Sequence, residues 1–181
     1  MTKYVLLMRG INVGGKNKVS MAALKKSLED LGYGNVSTLL ASGNVVADSS
    51  KSAAAIQTEI EKVLPKTFKL DSDLIKVLAL SKAKFKSMLA SKPKGFGEQA
   101  SKYHSDAIFL MGLTPAKAFA VFDPKEGIDE VWRGKAMIFH QRLSAKRTKS
   151  RLSKIVASPL YKSMTVRSWQ TTEKLLALLD A

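Results

Sequence analysis

The chain has no cysteine, which excludes disulfides, thiol nucleophiles and cysteine-ligated zinc or iron–sulfur centres. Histidine is nearly absent. His104 and His140 are the only two and stand far apart in sequence, so a histidine-rich metal site is out and only a carboxylate site for a hard cation such as Mg²⁺ remains. There is no G-x-S-x-G and no evident Ser–His–Asp grouping. No apolar run approaches the roughly 18 residues a membrane span needs. The opening MTKYVLLMRG carries too short an apolar run for a secretory signal, so a cytoplasmic protein with no membrane contact is expected. Acidic residues are scarce: fifteen Asp and Glu face thirty Lys and Arg, a net charge of +15. Such an excess attracts anionic partners through long-range fields and counterion release. Many lysines nevertheless stand singly on helix faces, as in ALKKSLEDL and SKAKFKSML, where solvation accounts for them.

The rest is ordinary for a globular protein. With 181 residues, 45% hydrophobic and 25% charged, the chain can build a real core in one sizeable domain or two small ones. KYVLLM (Lys3–Met8) reads as a buried strand. Ser20 caps a helix whose apolar residues Met21, Leu24, Leu28 and Leu31 keep the helical period, and Gly32 stops it. Two β-rich runs surround Ala41-Ser42-Gly43-Asn44, a hairpin signal. SAAAIQTEIEKVL reads as a second helix ending before Pro65, and DLIKVLAL as a strand. After the helix SKAKFKSMLAS and a Gly/Pro loop, the order recurs. DAIFLM is a strand, TPAKAFAVF a helix capped by Thr114 with Pro115 at its first position, and EVWRGKAMIFH a strand pair turning at Arg133-Gly134. SRLSKIVAS is a short helix stopped by Pro159, SMTVRS a strand and WQTTEKLLALLD a final helix.

Each half therefore reads βαββαβ. The expected fold is α+β: two tandem ferredoxin-like sandwiches with an extra C-terminal helix. Residues 1–80 form the first half, 81–104 a helix and linker, and 105–181 the second half.

The stretch RGINVGGKN (Arg9–Asn17) follows the first strand, and from Gly10 to Lys16 it reads G-x-x-x-x-G-K. A phosphate-binding P-loop needs a hydroxyl next, a helix starting at the lysine and a parallel crossover to the following strand. Here Asn17 replaces the hydroxyl, the helix signal starts at Ser20, and the next strands pair through a hairpin. A different strand-to-helix loop is expected. Its glycines either permit unusual dihedrals in a tight turn or let the N–H groups of Val13 to Lys16 cradle an anion, with Arg9 and Lys16 adding charge.

YVLLMRGINVGGKNKVSMAALKKSLEDLGYGNVSTLLASGNVV resembles the start of a bacterial family known as domain-of-unknown-function family 1697. TVRSWQTTEKLLALL resembles that family's closing pattern, T-x-R-N-W-N-T-x-x-K-L, with Ser168 and Gln170 standing where the pattern has Asn. The resemblance runs along the whole chain and is strongest at both ends. It implies tandem ferredoxin-like halves, and no established activity, cofactor or partner.

Further constellations bear on function. LSAKRTKSRLSK is the densest basic stretch, with Lys146, Arg147, Lys149, Arg151 and Lys154 around a helix start capped by Ser150. It is either a solvated loop or a contact for a phosphate backbone. Arg167 and Trp169 bracket the last strand–helix junction; either Trp169 stacks on a base or sugar with Arg167 contacting phosphate, or Trp169 sits in the core with Arg167 paired to a carboxylate. No RNA-recognition signature accompanies Phe109. Asp71 and Asp73 could hold a divalent ion, or serve as turn chemistry.

The leading expectation is a binding protein for an anionic ligand, nucleic acid or a phosphorylated small molecule, with no cofactor. Arg9, Asn12, Gly14, Gly15 and Lys16 would form one face of the site. Ser42, Asn44, Arg167 and Trp169 would neighbour it, and the basic stretch would serve longer polyanions. An enzyme acting on a phosphorylated metabolite, with Lys16 or Arg167 as an electrophilic clamp, is the alternative. A structural or protein-interaction role is a third.

Overall fold

The computed structural model describes all residues except Asp73 and Leu74. The chain divides into two compact units, one of Met1–Phe85 with Leu175–Ala181 and one of Lys86–Lys174. It is an α+β protein with two four-stranded antiparallel sheets.

In the first unit, β1 (Thr2–Arg9), β2 (Gly34–Leu39), β3 (Asn44–Ser49) and β4 (Lys76–Ser81) lie in the order β2-β3-β1-β4. Alternation along β1 sends Tyr4, Leu6 and Met8 to one face. Helix α1 (Met21–Asp30) brings Leu24 and Leu28 onto that face, and α2 (Ala53–Thr67) brings Ile56, Ile60 and Leu64. The fourfold spacing of these residues puts them on one stripe of each helix, and full burial of each aliphatic side chain stabilises by roughly 1.5–3 kcal/mol. Ser20 and Ser52 cap α1 and α2 by accepting from the N–H groups of Ala23 and Ala55. Helix α2 does not stop before Pro65. It runs on to Thr67 with the proline inside. Pro65 removes one helical N–H near the C-terminal end, but Leu64 is anchored in the core and Phe68 N–H still reaches the Leu64 carbonyl.

In the second unit, β5 (Tyr103–Leu110), β6 (Asp129–Arg133), β7 (Met137–Leu143) and β8 (Met164–Ser168) take the order β6-β7-β5-β8. This is the first sheet's order again. Helix α3 (Lys82–Leu89) precedes β5, and α5 (Trp169–Asp180) closes the chain. Ile108 and Leu110 of β5 and Ile138 of β7 pack with Ala118, Ile155 and Met164.

Two helix expectations fail in this unit. Only Pro115–Phe119 of TPAKAFAVF is α-helical (α4), because Val121 and Phe122 close the segment with bonds reaching back three residues. SRLSKIVAS is not an α-helix but part of three successive 3-10 turns at Ser144–Lys149, Leu152–Ala157 and Pro159–Ser163. The buried anchors Leu152 and Ile155 are three residues apart, which suits a three-residue turn, and Val156, which an α-helix would bury beside Leu152, is 60% exposed. Ser150 Oγ accepts from Leu152 N–H, and Ser158, before Pro159, is extended.

Candidate functional site

The glycine loop of the first unit is a miniature hairpin. Lys16 N–H donates to the Val13 carbonyl at 3.0 Å and Asn12 N–H to the Asn17 carbonyl at 3.0 Å. Gly14 and Gly15 both have positive φ, 57° and 76°, as a type I′ turn requires. Nothing lies within 4 Å of a Cβ built on either residue, so their need is conformational rather than steric. Of the N–H groups from Val13 to Lys16, that of Lys16 is thus engaged within the turn. Val13, Gly14, Gly15 and Lys16 are exposed, with Gly14 and Gly15 at the tip and Val13 paired to Lys16 below them.

Two asparagines build the base of this hairpin. Asn12 Nδ2 donates to the carbonyls of Val19 (2.9 Å) and Ala41 (2.7 Å), and its Oδ1 accepts from Val19 N–H (2.8 Å). Asn17 is buried; its Nδ2 donates to the Gly10 carbonyl at 2.8 Å, and its Oδ1 accepts from the N–H groups of Asp71 (2.7 Å) and Ser72 (3.0 Å). The Asp71 carboxylate accepts Asn17 N–H at 2.7 Å. Asp71 therefore serves the loop, and Asp73, its expected companion in a cation site, lies outside the described residues.

The β2–β3 corner joins the same region. Gly43 packs so tightly that a Cβ there would stand 2.8 Å from Met8 Cβ. Asn44 is fully buried, and its Nδ2 donates to Leu39 carbonyl (3.0 Å) and to Ser42 Oγ (2.9 Å). The corner that carries Ser42 and Asn44 thus meets the chain on either side of Arg9, at Met8, Ile11 and Asn12, while Gly14, Gly15 and Lys16 lie on the exposed turn beyond.

Arg167 and Trp169 belong to the second unit. Arg167 is buried, donates to Thr165 Oγ1 at 2.9 Å and to the Val166 carbonyl at 2.8 Å, and burial lowers its pKa to about 10. Trp169 is 8% exposed and meets Phe96 (5.3 Å) and Phe139 (6.1 Å) edge-on. A Cβ on Gly97 would stand 2.5 Å from the indole. Trp169 is accordingly packed in a rigid aromatic cluster.

The basic stretch divides in two. Lys146, Arg147 and Lys149 are exposed on the turn Ser144–Lys149, and among the described residues none of them pairs with a carboxylate. Arg151 and Lys154 share Asp123, at 3.1 and 4.0 Å. Asp129 holds the far end of this stretch by accepting Arg151 N–H at 2.8 Å. Burial pushes the Asp129 carboxyl up, but this bond, Ser150 and Lys125 N–H hold it below the usual range.

A titratable cluster on the same unit escapes sequence reasoning. In the antiparallel β5–β7 pair, Asp106 stands opposite His140 and His104 opposite Arg142. His104 Nε2 lies 3.1 Å from Asp106 Oδ1, and His140 Nδ1 lies 3.8 Å from Asp106 Oδ2. Burial raises the Asp106 carboxyl against the pull of His104 and Arg142. Burial, reinforced by Arg142 and His104, lowers His140 to about 3, so its ring is neutral at pH 7. Among the described residues no group of three carboxylates or imidazoles could hold a metal ion, and no helix is long and apolar enough to cross a membrane. The only sequence signal for the cluster is the H-x-D spacing of His104 and Asp106, which puts both on one face of a strand.

His104 is half exposed and borders a pocket of about 250 Å³, which Tyr103, Ser144, Trp169, Gln170 and Glu173 also line. Ser168 and Gln170, where the closing stretch departs from the family pattern, both line it. Ser144 N–H donates to the Lys102 carbonyl at 3.0 Å, which ties the start of the basic turn to the strand carrying His104.

The structure is similar along its whole length to that of the conserved bacterial protein SP0830 from Streptococcus pneumoniae: the two share 29% identity and a TM-score of 0.82, over 100% of this chain and 99% of the other. No match was found among curated proteins. A family profile matches residues 1–139, well over half of the chain. The chain therefore belongs to the family described as "Protein of unknown function (DUF1697)".

Proposed function

We propose that the protein binds an anionic ligand, a nucleic acid or a phosphorylated small molecule, through the turn Ser144–Lys149. One observation carries this reading: Lys146, Arg147 and Lys149 stand exposed on one short turn with no carboxylate among the described residues paired to them, in a chain of net charge +15. Cations so placed gain by displacing counterions from phosphates. Arg151 and Lys154 are partly matched by Asp123 and contribute less. Arg9 and Lys16 at the hairpin of the first unit, with Asn12, Gly14, Gly15, Ser42 and Asn44 around them, are a second set for the same class of ligand.

The test is binding of a labelled oligonucleotide and of inorganic polyphosphate as salt rises. Affinity falls linearly on a log–log scale, and Lys146→Ala/Arg147→Ala/Lys149→Ala reduces the slope by about 2 for a single strand. Absence of binding at low salt defeats the reading.

The repeated strand order supports tandem ferredoxin-like halves at 1–80 and 105–181, joined through 81–104, and a cytoplasmic setting suits this basic, cysteine-free chain. One observation favours the alternative of an enzyme on a phosphorylated metabolite: His104 is oriented by a buried carboxylate at a pocket edge, the geometry of a general base. Turnover of a phosphorylated metabolite, abolished by His104→Gln, would establish it; a screen without turnover removes it.

A further inference from the structure

The pocket beside His104 differs in chemistry from the surface around it. Among the described residues no Lys or Arg lines it, in a chain with thirty of them, and Glu173 is its one carboxylate. A phosphate would find no cation inside. What the pocket offers is an aromatic wall at Trp169, an amide at Gln170, a carboxylate at Glu173, an imidazole at His104 and hydroxyls at Tyr103 and Ser144. That set suits a neutral ring with hydrogen-bonding groups on its edge. The volume, about 250 Å³, falls just below the usual range for drug-sized ligands and fits one such ring.

The pocket also adjoins the cations. Ser144 lines it and is the first residue of the turn that displays Lys146, Arg147 and Lys149. Lys146, Arg147 and Lys149 follow Ser144 by two to five residues, about 4–10 Å along a 3-10 helix, a span that the sugar and phosphates of a nucleotide bridge.

We propose that this pocket receives the base of a nucleotide whose phosphates lie on the turn Ser144–Lys149, the base belonging either to a single strand or to a free nucleotide. The assignment rests on the anion-binding reading for its phosphate half only. Bases outside a duplex are recognised by aromatic contact and by hydrogen bonds to their edges. Trp169 is held in place by Phe96, Phe139 and Gly97, so it needs no ordering when a ring arrives. Gln170 and Glu173 are three residues apart on α5 and share one face of the helix. The Gln170 amide both donates and accepts, and the Glu173 carboxylate accepts from an exocyclic amine, which favours adenine, cytosine or guanine over uracil or thymine. A base within a duplex reaches the pocket only after unstacking.

Four probes separate the two halves: inorganic polyphosphate for the turn, adenosine and cytidine for the pocket, a single-stranded oligonucleotide for both, and the matching duplex as control. The indole N–H resonance of Trp169 reports the pocket, with Trp132 as internal reference. The nucleosides are expected to shift the Trp169 signal and leave that of Trp132. The single strand is expected to bind at least tenfold tighter than polyphosphate of equal charge and than the duplex. Gln170→Ala and Glu173→Gln, both at exposed positions, remove that advantage and leave polyphosphate binding unchanged. A mononucleotide matching the oligomer's affinity identifies the free nucleotide as the ligand; a much weaker one identifies the strand. A silent Trp169 signal together with equal affinity for strand and polyphosphate overturns the base pocket and leaves the anion-binding surface standing. A nucleoside shift without polyphosphate binding overturns the surface and supports the pocket.

Discussion

Asn17 and Asp71 bind each other reciprocally: the backbone N–H of Asn17 donates to the Asp71 carboxylate and the backbone N–H of Asp71 donates to the Asn17 side-chain carbonyl, both at 2.7 Å. The residue that spoils a P-loop pattern is thus the one that fastens this loop to the segment before β4. Asn17→Ser restores the P-loop spelling but removes the side-chain amide that binds the Asp71 and Ser72 N–H groups and the Gly10 carbonyl. The expected loss is about 2–4 kcal/mol in urea unfolding, with no gain in ATP or GTP binding. A variant as stable as the parent contradicts this account. A cycle with Asp71→Ala should show a coupling of about 0.5–3 kcal/mol.

The glycines separate into two kinds, and substitution tells them apart. Gly14→Ala meets no neighbouring atom and is expected to lose only the strain of a positive φ, about 1–2 kcal/mol. Gly97→Ala adds a clash with the Trp169 ring, 2.5 Å from its Cβ. It should lose more stability and change the near-ultraviolet circular dichroism of the aromatic cluster, which Gly14→Ala leaves intact. Equal losses and unchanged spectra for both would refute the distinction.

Acid should unfold the second unit partly through His140. Its folded pKa, about 3, lies below the unfolded value near 6.5, so its neutral form contributes stability above pH 6.5 that is lost as pH falls toward 3. The raised Asp106 carboxyl works in the opposite direction, and Arg142 and His104 face the same cluster. His140→Phe isolates the histidine. The stability of this variant relative to the parent should rise as pH drops below 6.5, by up to about 1.4 kcal/mol per pH unit. A pH-independent difference between the two proteins removes the argument.

In the first unit, Lys51 Nζ and Tyr33 Oη both bind Glu59, each at 2.7 Å, and the ammonium sits 5.0 Å over the Tyr33 ring centroid. Burial, then Glu59, raises the Tyr33 phenol well above its ordinary value. Burial raises the Glu59 carboxyl, and Lys51 and Tyr33 together bring it below normal. Glu59→Gln is expected to lower the Tyr33 titration without returning it to 10, because burial remains. An alkaline ultraviolet titration measures it, and an unchanged titration would show that Glu59 does not act on the phenol.

Much of the element order was legible because it depends on local chemistry. Ser20, Ser52 and Thr114 cap helices through their own hydroxyls, and the apolar stripes of α1 and α2 repeat at helical spacing. Legibility failed where tertiary contacts outweighed local signals. Pro65 marks an end by propensity, yet the burial of Leu64 carries α2 past it. Leu152 and Ile155 anchor a 3-10 turn in a stretch whose composition suggests an α-helix. The cluster at Asp106 was hidden for a different reason. His104 and His140 stand 36 residues apart in sequence, and only the register of β5 against β7 places both on one carboxylate.

The amide of Asn12 grips the chain ahead of α1 at Val19 and the β2–β3 corner at Ala41 with the two hydrogens of a single nitrogen. The hairpin base and that corner consequently form one mechanical piece. A force on Val13 reaches Ala41 through the Asn12 side chain as well as through the packing of Gly43 on Met8 and Ile11, and Asn12→Asp, which replaces both donors with acceptors, would weaken the first link while leaving the turn at Gly14-Gly15 chemically unaltered.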